Sequence, residues 1–421
     1  MFKKITLKNG LRIITVPQKS TQAVTVLVLV GTGSKYEEKN VNGISHFLEH
    51  MFFKGTKKRP DKVEIAETLD RVGGAYNAFT GQEYTGYWAK TMAEHFDLAL
   101  DWVSDIFLNS ILPQEEVQKE RGVIIEEINM YYDNPASYVQ ELWQNLLYGD
   151  QPAGWPIAGT KETVRNIERE KLADYMDNQY IPGNTIVCMA GNIRTERALK
   201  MAKKHFAEMS HGDFKKKVQV SERQTAPEAM VHFRKTDQTH ICLGVRGYNI
   251  FHPQKYVYEI LGIILGGMMS SRLFIEVREK MGAAYYIKTN AEADTDNGFL
   301  VTQAGVENRS VSKVITVILR EYEKAKNVKI GQKELKKAKD YFKGTLALSL
   351  ESSDAKASFY GMQELLENKI LSPEEICRKI DKVSAEDVAA VAREIFRPER
   401  LNLATVGPFE DKKEFHGLLK L

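Results

Sequence analysis

The segment HFLEH, near the N-terminus, contains the residues best suited to hydrolytic chemistry. His46 and His50 are four residues apart, and Glu49 lies between them. On a helix, residues four apart share a face, so both imidazoles can aim at one metal ion. Glu49 could hold a metal-activated water and take its proton. Two histidines at this spacing are common on solvated helices. The order HxxEH within an otherwise apolar helix nevertheless favours a metal site, because such residues suit a core face poorly unless something pairs with them.

A catalytic zinc ion usually takes a third protein ligand and keeps one position for water. The segment QEEVQKERGVIIEEINMYYDN is predicted to form a helix and contains the best candidates for this ligand. Glu120 and Glu127 are seven residues apart and share a face, whereas Glu126 points about 100° away from Glu127. Val123 and Ile124 lie near the shared face and indicate that it is partly buried. These residues alone leave open whether the carboxylates are ligands or surface groups.

Composition and charge exclude several classes of protein. The chain has 421 residues, and its net charge of +3 comes from 59 basic and 56 acidic residues, which argues against nucleic acid or a membrane surface as a partner. Its longest strongly apolar run, residues 24–30, is far too short to span a membrane. The N-terminus has no apolar region of the signal-peptide kind. Cys188, Cys242 and Cys377 lie far apart and predict no disulfide framework. We therefore expect a cytoplasmic protein.

Two segments indicate an internal duplication. YIPGNTIVCMAG at 180–191 aligns without a gap with FRPERLNLATVG at 396–407, at an offset of 216 residues. A second echo pairs GAY at 74–76 with GAAY at 282–285. A chance similarity of two helix–proline–strand units is the alternative for the first pair, and the second echo favours duplication.

The duplication and the coarse pattern of elements predict an α+β protein with two homologous domains. Each domain is expected to be a mostly antiparallel sheet with helices packed on one face. A polar segment at 211–228 lacks apolar periodicity and is interpreted as a linker. It separates a catalytic metal-binding domain, residues 1–210, from a second domain, residues 229–421.

The order of elements in the first half is also predicted. Strands and helices are expected at these positions: a hairpin at 5–15, a strand at 23–30, helices from about 43 and 61, strands at 75–79 and 83–92, long helices over about 93–149, and a strand at 184–191.

The motifs of the sequence and their spacing resemble those of a known family. HFLEH followed by a glutamate 77 positions after His50 is similar to the inverzincin pattern of the pitrilysin, insulin-degrading enzyme and mitochondrial processing peptidase family. The chain is similar in length to the short, two-domain branch, and the resemblance implies that branch's metallopeptidase fold. It extends over almost the whole chain, through the blocks GISHFLEHMFFKGT, GGAYNAFTGQEYT, ERGVIIEEINMYYDNP, NQYIPGNTIVCMAGN and LGGMMSSRLFIEVREKMGAAY.

The resemblance assigns roles to the residues of the metal site. It implies that His46, His50 and Glu127 bind Zn²⁺ and that Glu49 is the general base. Glu120 would orient a ligand histidine, a role that such neighbouring carboxylates often have. The preference for Glu127 over its neighbour at 126 is thus by analogy.

The resemblance also implies how a peptide is held. Ala75 to Gly81 is similar to the family's edge strand beside the metal, where a peptide adds as a further strand. Asn77 would contact the peptide near the scissile bond, and Ala78 and Phe79 would line the edge. An ordinary strand after a Gly-Gly turn explains the local sequence equally well.

The second half contributes a different pair of residues. Arg278 and Tyr285 match the family's Arg/Tyr pair, which donates hydrogen bonds to a tetrahedral intermediate or to the peptide carbonyl. Without the resemblance, Arg278 is a surface cation at a helix end and Tyr285 a half-buried strand residue. The second half has YVYEILGIILGG where duplication would place HxxEH, so one zinc per chain is expected. In the family, two such chains close around a chamber, which predicts a homodimer here.

We therefore predict a zinc metalloendopeptidase that cleaves oligopeptides or unfolded segments inside a closed chamber. Metal-activated water would be the nucleophile, with Glu49 as base. Two alternatives remain open: a presequence-type processing peptidase with a different partner chain, and a non-catalytic scaffold subunit of the same family.

Overall fold

The chain forms two compact units, each assembled from three segments. The structure, a computed structural model, describes residues 2–209 and 212–421. The first unit takes its residues from 1–128, 156–218 and 347–370, and the second from 129–155, 219–346 and 371–421. Each unit therefore includes one segment from the other half of the sequence.

The first unit is built on a six-stranded sheet with the order β1-β2-β6-β3-β5-β4. All neighbouring strands are antiparallel except β2 and β6, which are parallel. Every strand predicted for this half is present. The strands are β1 Lys3–Thr6, β2 Arg12–Pro17, β3 Ala23–Val30, β4 Ala75–Thr80, β5 Thr85–Met92 and β6 Thr185–Gly191.

The second unit has a five-stranded sheet with the order β7-β11-β8-β10-β9. Only β7 and β11 are parallel. The strands are β7 Glu228–Phe233, β8 Gln238–Arg246, β9 Ala284–Ala293, β10 Gly298–Glu307 and β11 Leu401–Gly407. The two aligned repeats at 180–191 and 396–407 end in equivalent strands, β6 and β11, so the mostly antiparallel α+β prediction is confirmed for both units.

The helices follow the strands in long runs. The α-helices are α1 Ile44–Met51, α2 Lys62–Asp70, α3 Phe96–Asn109, α4 Gln114–Asp133, α5 Pro135–Tyr148, α6 Lys161–Asn166, α7 Arg169–Gln179, α8 Thr195–Phe206, α9 Lys255–Gly262, α10 Val311–Asn327, α11 Gln332–Ser349, α12 Ser353–Glu367, α13 Pro373–Asp381, α14 Ala385–Ile395 and α15 Lys413–His416. In the described part of the chain, π-helical segments are at Ile263–Gly267 and Phe274–Lys280. Short 3₁₀ turns are at Ser34–Tyr36, Lys39–Val41, Ala93–His95, Pro152–Gly154, Pro182–Asn184, Asn308–Ser310 and Pro398–Arg400.

The first sheet is covered on both faces, which the one-face expectation did not anticipate. Val26 and Val28 of β3 belong to the main core with α1 and α3, whereas Leu27 and Leu29 belong to a second core on the opposite face. A strand that is apolar on both faces needs a cover on both sides. The second cover is α12, which packs on β3 and β6 although it comes from the C-terminal half. In the second unit, α5 from the N-terminal half packs on β11 in the corresponding way.

The predicted domain limits lie at the two ends of the predicted linker, residues 211–228. The boundary between residues 210 and 211 lies outside the described residues. Residues 212–227 contain neither helix nor strand, and β7 begins at Glu228. The limits 1–210, 211–228 and 229–421 stay a prediction. Among the residues described, no helix has the length and apolar character needed to cross a membrane.

Candidate metal centre

Helix α1 is held at its N-terminus by a buried carboxylate. Glu37 accepts hydrogen bonds from the backbone N–H of Gly43 at 2.7 Å and of Ser45 at 2.9 Å. Burial raises the pKa of Glu37, and these hydrogen bonds oppose the rise. Gly43 has φ +96°, and a Cβ there would lie 2.6 Å from the carbonyl oxygen of Ala158. The start of α1 is therefore fixed in position, and with it the direction of the side chains that follow.

Two imidazoles leave α1 on one face, as the spacing predicts. The ring centroids of His46 and His50 are 4.6 Å apart. Helix α4 brings a carboxylate to both rings: Glu127 Oε2 lies 3.6 Å from His46 Nε2 and 3.4 Å from His50 Nε2. One ligand atom from each of the three residues lies within 4.8 Å of the others. These residues form a compact group with two nitrogen donors and one oxygen donor.

The group fits a tetrahedral zinc ion. Bonds of about 2.1 Å to nitrogen and oxygen place neighbouring donors about 3.4 Å apart in a tetrahedron. The two Nε2–Oε2 separations, 3.6 and 3.4 Å, are close to that spacing. Burial, followed by repulsion from His50, lowers the pKa of His46 to about 4. His46 is therefore neutral near pH 7, as a metal-binding imidazole must be.

Glu120 supports His50 from the side away from Glu127. Its Oε1 lies 2.9 Å from His50 Nδ1, and its Oε2 lies 2.7 Å from Lys54 Nζ. Burial acts to lower the pKa of His50, but hydrogen bonds to Glu120 and Glu127 outweigh it and raise the pKa to about 9. A cation at this site therefore competes with the proton of His50. The orienting role expected for Glu120 stays a prediction, to which these contacts give a physical basis.

Only a narrow stripe of α4 is buried. Glu120 and Ile124 lie on it, whereas Glu126 is exposed on another side of the helix. The expectation that Val123 lies with the buried side is wrong, because this side chain is 51% exposed. It sits about 100° round the helix from Ile124, outside the stripe. Of the two neighbouring carboxylates, the structure places Glu127 in the donor group.

Glu49 lies beside the donor group and is held by a strand. Thr80, the last residue of β4, donates a hydrogen bond from Oγ1 to Glu49 Oε2 at 2.5 Å. Burial raises the pKa of Glu49, and the Thr80 hydrogen bond opposes the rise. A carboxylate in this setting gains a proton more readily than one in water, which suits a base that must pass its proton on.

Strand β4 forms one edge of the first sheet. Its ladder partner among the described residues is β5. Asn77 is exposed, Ala78 is buried and Phe79 is partly buried against the second core. The structure therefore places the predicted peptide-binding residues on an edge strand whose end contacts Glu49.

Arg278 and Tyr285 come together in the second unit. The Arg278 guanidinium carbon lies 5.9 Å from the centre of the Tyr285 ring and 4.8 Å from that of Phe274. Tyr285 lies on the edge strand β9 and is 76% exposed. The pair forms a local cation–π contact within its own unit.

Three residues that support the site were not singled out from the sequence. Thr80 follows Ala78 by two, so strand alternation alone places both on one face. Lys54 follows His50 by four, the spacing that joins side chains on a helix and its last turn. Glu37 precedes the helix by several residues, and no short-range pattern identifies it as the cap.

Comparisons with known proteins identify the family of this chain. Residues 12–161 match the family profile described as insulinase (peptidase family M16), and residues 166–342 match the profile of the peptidase M16 inactive domain. A Bacillus subtilis protein named as an uncharacterized zinc protease is 38% identical over 408 residues, which cover 97% of this chain and 98% of that protein.

Solved structures show the same fold. A protease from Helicobacter pylori superposes with a TM-score of 0.90 and 26% identity, covering 97% of this chain and 99% of that chain. A chain of Complex III2 from Candida albicans superposes with a TM-score of 0.86 at 18% identity, covering 100% of both, and this likeness concerns the fold alone. On the matched profiles and the near full-length relative, the chain belongs to peptidase family M16.

Proposed function

We propose that this chain is a zinc-dependent endopeptidase that cleaves oligopeptides or unfolded polypeptide segments. The observation that carries the proposal is the donor group His46, His50 and Glu127, with Glu49 held beside it. The names of its curated relatives, zinc proteases, support the same class of chemistry.

Each side chain of the proposed site has a separate role in hydrolysis. Zinc, when bound, supplies a Lewis acid and lowers the pKa of water. Glu49 takes a proton from the attacking water and delivers it to the leaving amine. Glu120 orients His50, and the edge of β4 offers backbone N–H and C=O groups to an extended peptide. Asn77 holds the peptide near the scissile bond, and Ala78 and Phe79 line the same edge.

Arg278 and Tyr285 complete the proposed site from another copy of the chain. Both side chains donate hydrogen bonds, so they suit the negative charge that develops on the scissile carbonyl oxygen. The chain would act as a homodimer that closes around a chamber, which favours short or flexible peptides over folded proteins.

A peptide library tests this proposal directly. The purified protein is analysed for zinc and incubated with the library, and products are identified by mass spectrometry with chelator, without it, and after zinc is returned. We expect cleavage that chelator abolishes and zinc restores. A zinc-loaded protein that cleaves nothing would contradict the proposal and favour a scaffold subunit. Activity that appears only with a copurifying second chain would instead favour a processing peptidase with a different partner.

A further inference from the structure

The hydrogen bond between Thr80 and Glu49 joins the edge strand to the proposed base. Thr80 ends β4, and its hydroxyl contacts Glu49 Oε2 at 2.5 Å. Glu49 is partly buried, and among the described residues Thr80 is the side-chain hydrogen-bond partner of its carboxylate. Thr80 is not among the three residues that form the donor group for the metal.

A turn and a packing contact fix the end of β4, and with it the position of the Thr80 hydroxyl beside Glu49. The backbone N–H of Gly81 donates to the carbonyl of Tyr84 at 2.8 Å, which closes the turn directly after Thr80. The Phe79 ring covers Gly86 so closely that a Cβ at Gly86 would lie 2.3 Å from it. Packing therefore fixes the register of β4 against β5. The Thr80 hydroxyl cannot shift along the strand direction without breaking this register.

We propose that Thr80 is a positioning residue for Glu49. Its hydroxyl donates a hydrogen bond to Oε2 of Glu49 and thereby prevents rotation of the carboxylate. The other oxygen of Glu49, Oε1, is then oriented for proton exchange with the attacking water. The same strand presents its edge to the peptide, so Thr80 also sets the distance between the bound peptide and the base. This inference rests on the proposed endopeptidase function.

A set of three variants tests the role. Thr80→Val removes the hydroxyl and keeps the branched shape, and Thr80→Ser restores a hydroxyl. Thr85→Val is the matched control, because Thr85 faces Thr80 in the β4–β5 ladder and its own hydroxyl donates to the carbonyl of Thr32 at 3.0 Å. We expect Thr80→Val to lower kcat by about 10- to 100-fold, the range that follows from slight misplacement of a reacting group.

The remaining readouts separate positioning from structural damage. Thr80→Val should keep KM within about twofold of the wild-type value and should contain as much zinc as the wild type. Thr80→Ser should recover most of the wild-type kcat. A kcat within about twofold of that of Thr85→Val would overturn the inference, as would a loss confined to KM or to zinc content. Thr80→Ala removes the same donor and replaces Thr80→Val if that variant melts well below the control. A wild-type chain that holds zinc but cleaves no peptide would refute the proposed function itself, and this inference with it.

Discussion

Replacement of Glu120 by glutamine should weaken zinc binding without removing a ligand. Glu120 is buried, and its two oxygens have different partners: His50 Nδ1 at 2.9 Å and Lys54 Nζ at 2.7 Å. The Glu120→Gln amide has one carbonyl oxygen and one NH₂ group. The carbonyl oxygen can therefore accept a hydrogen bond from only one of these two donors, His50 or Lys54. The NH₂ group then faces the other donor and cannot accept its hydrogen bond.

The magnitude follows from the place of Glu120 beside the ligand. Loss of a partner that orients a metal-binding histidine typically weakens metal affinity by about 10- to 100-fold. This equals about 1.4 to 2.7 kcal/mol of binding free energy. Lys54 adds to the effect, because it loses the carboxylate that balances its charge in a partly buried position.

The assay compares two carboxylates of the same helix. Zinc dissociation constants are measured by competition with a chromophoric chelator for the wild type, Glu120→Gln and Glu116→Gln. Glu116 lies about one turn earlier on α4 and pairs with Lys62 and Lys119, both at 2.8 Å, away from the donor group. Glu116→Gln should bind zinc as the wild type does. Equal dissociation constants for both variants would refute the argument that Glu120 orients His50.

Three further predictions concern the ligand choice, the helix start and the assembly. Glu127→Ala should lose zinc while Glu126→Ala keeps it, as metal analysis of both purified proteins will show; the opposite pattern would mean that the wrong carboxylate was chosen. Gly43→Ala should lower the melting temperature and zinc affinity together, because its Cβ would lie 2.6 Å from a loop carbonyl oxygen and φ is +96°; unchanged values would contradict the strain argument. Glu49→Gln and Arg278→Ala should each be poor enzymes, yet mixing them with subunit exchange should recover about half the wild-type activity per heterodimer, since one intact site forms across two chains. No recovery despite exchange shown with differently tagged chains would exclude a shared site.

Local sequence rules predicted most elements of the first unit. The nearly continuous apolar run at 24–30 fits β3, and the segment 44–51 carries the helical spacing that α1 shows. The HxxEH order placed two imidazoles on one face, which depends on helix geometry alone. These features depend on residues near each other in the chain, where backbone geometry determines which side chains can meet.

Long-range packing was less accessible from the sequence. Residues alone left the choice between Glu126 and Glu127 open, because the orientation of α4 against α1 is set by tertiary contacts. The cover of the first sheet by α12 was also missed, since the helix comes from the other half of the chain. The contact between Thr80 and Glu49 joins a strand to a helix 31 positions away. Alternation indicates which face Thr80 occupies, but not which side chain it meets.

The most direct test of the account compares the wild type with Glu49→Gln. Zinc content and cleavage of a quenched fluorescent peptide are measured on the same preparations of both proteins. The expected result is one zinc ion per chain in each protein, and a loss of turnover of at least about 100-fold in Glu49→Gln, because the base is removed while His46, His50 and Glu127 remain. A zinc-loaded Glu49→Gln protein that cleaves the peptide at close to the wild-type rate would contradict it.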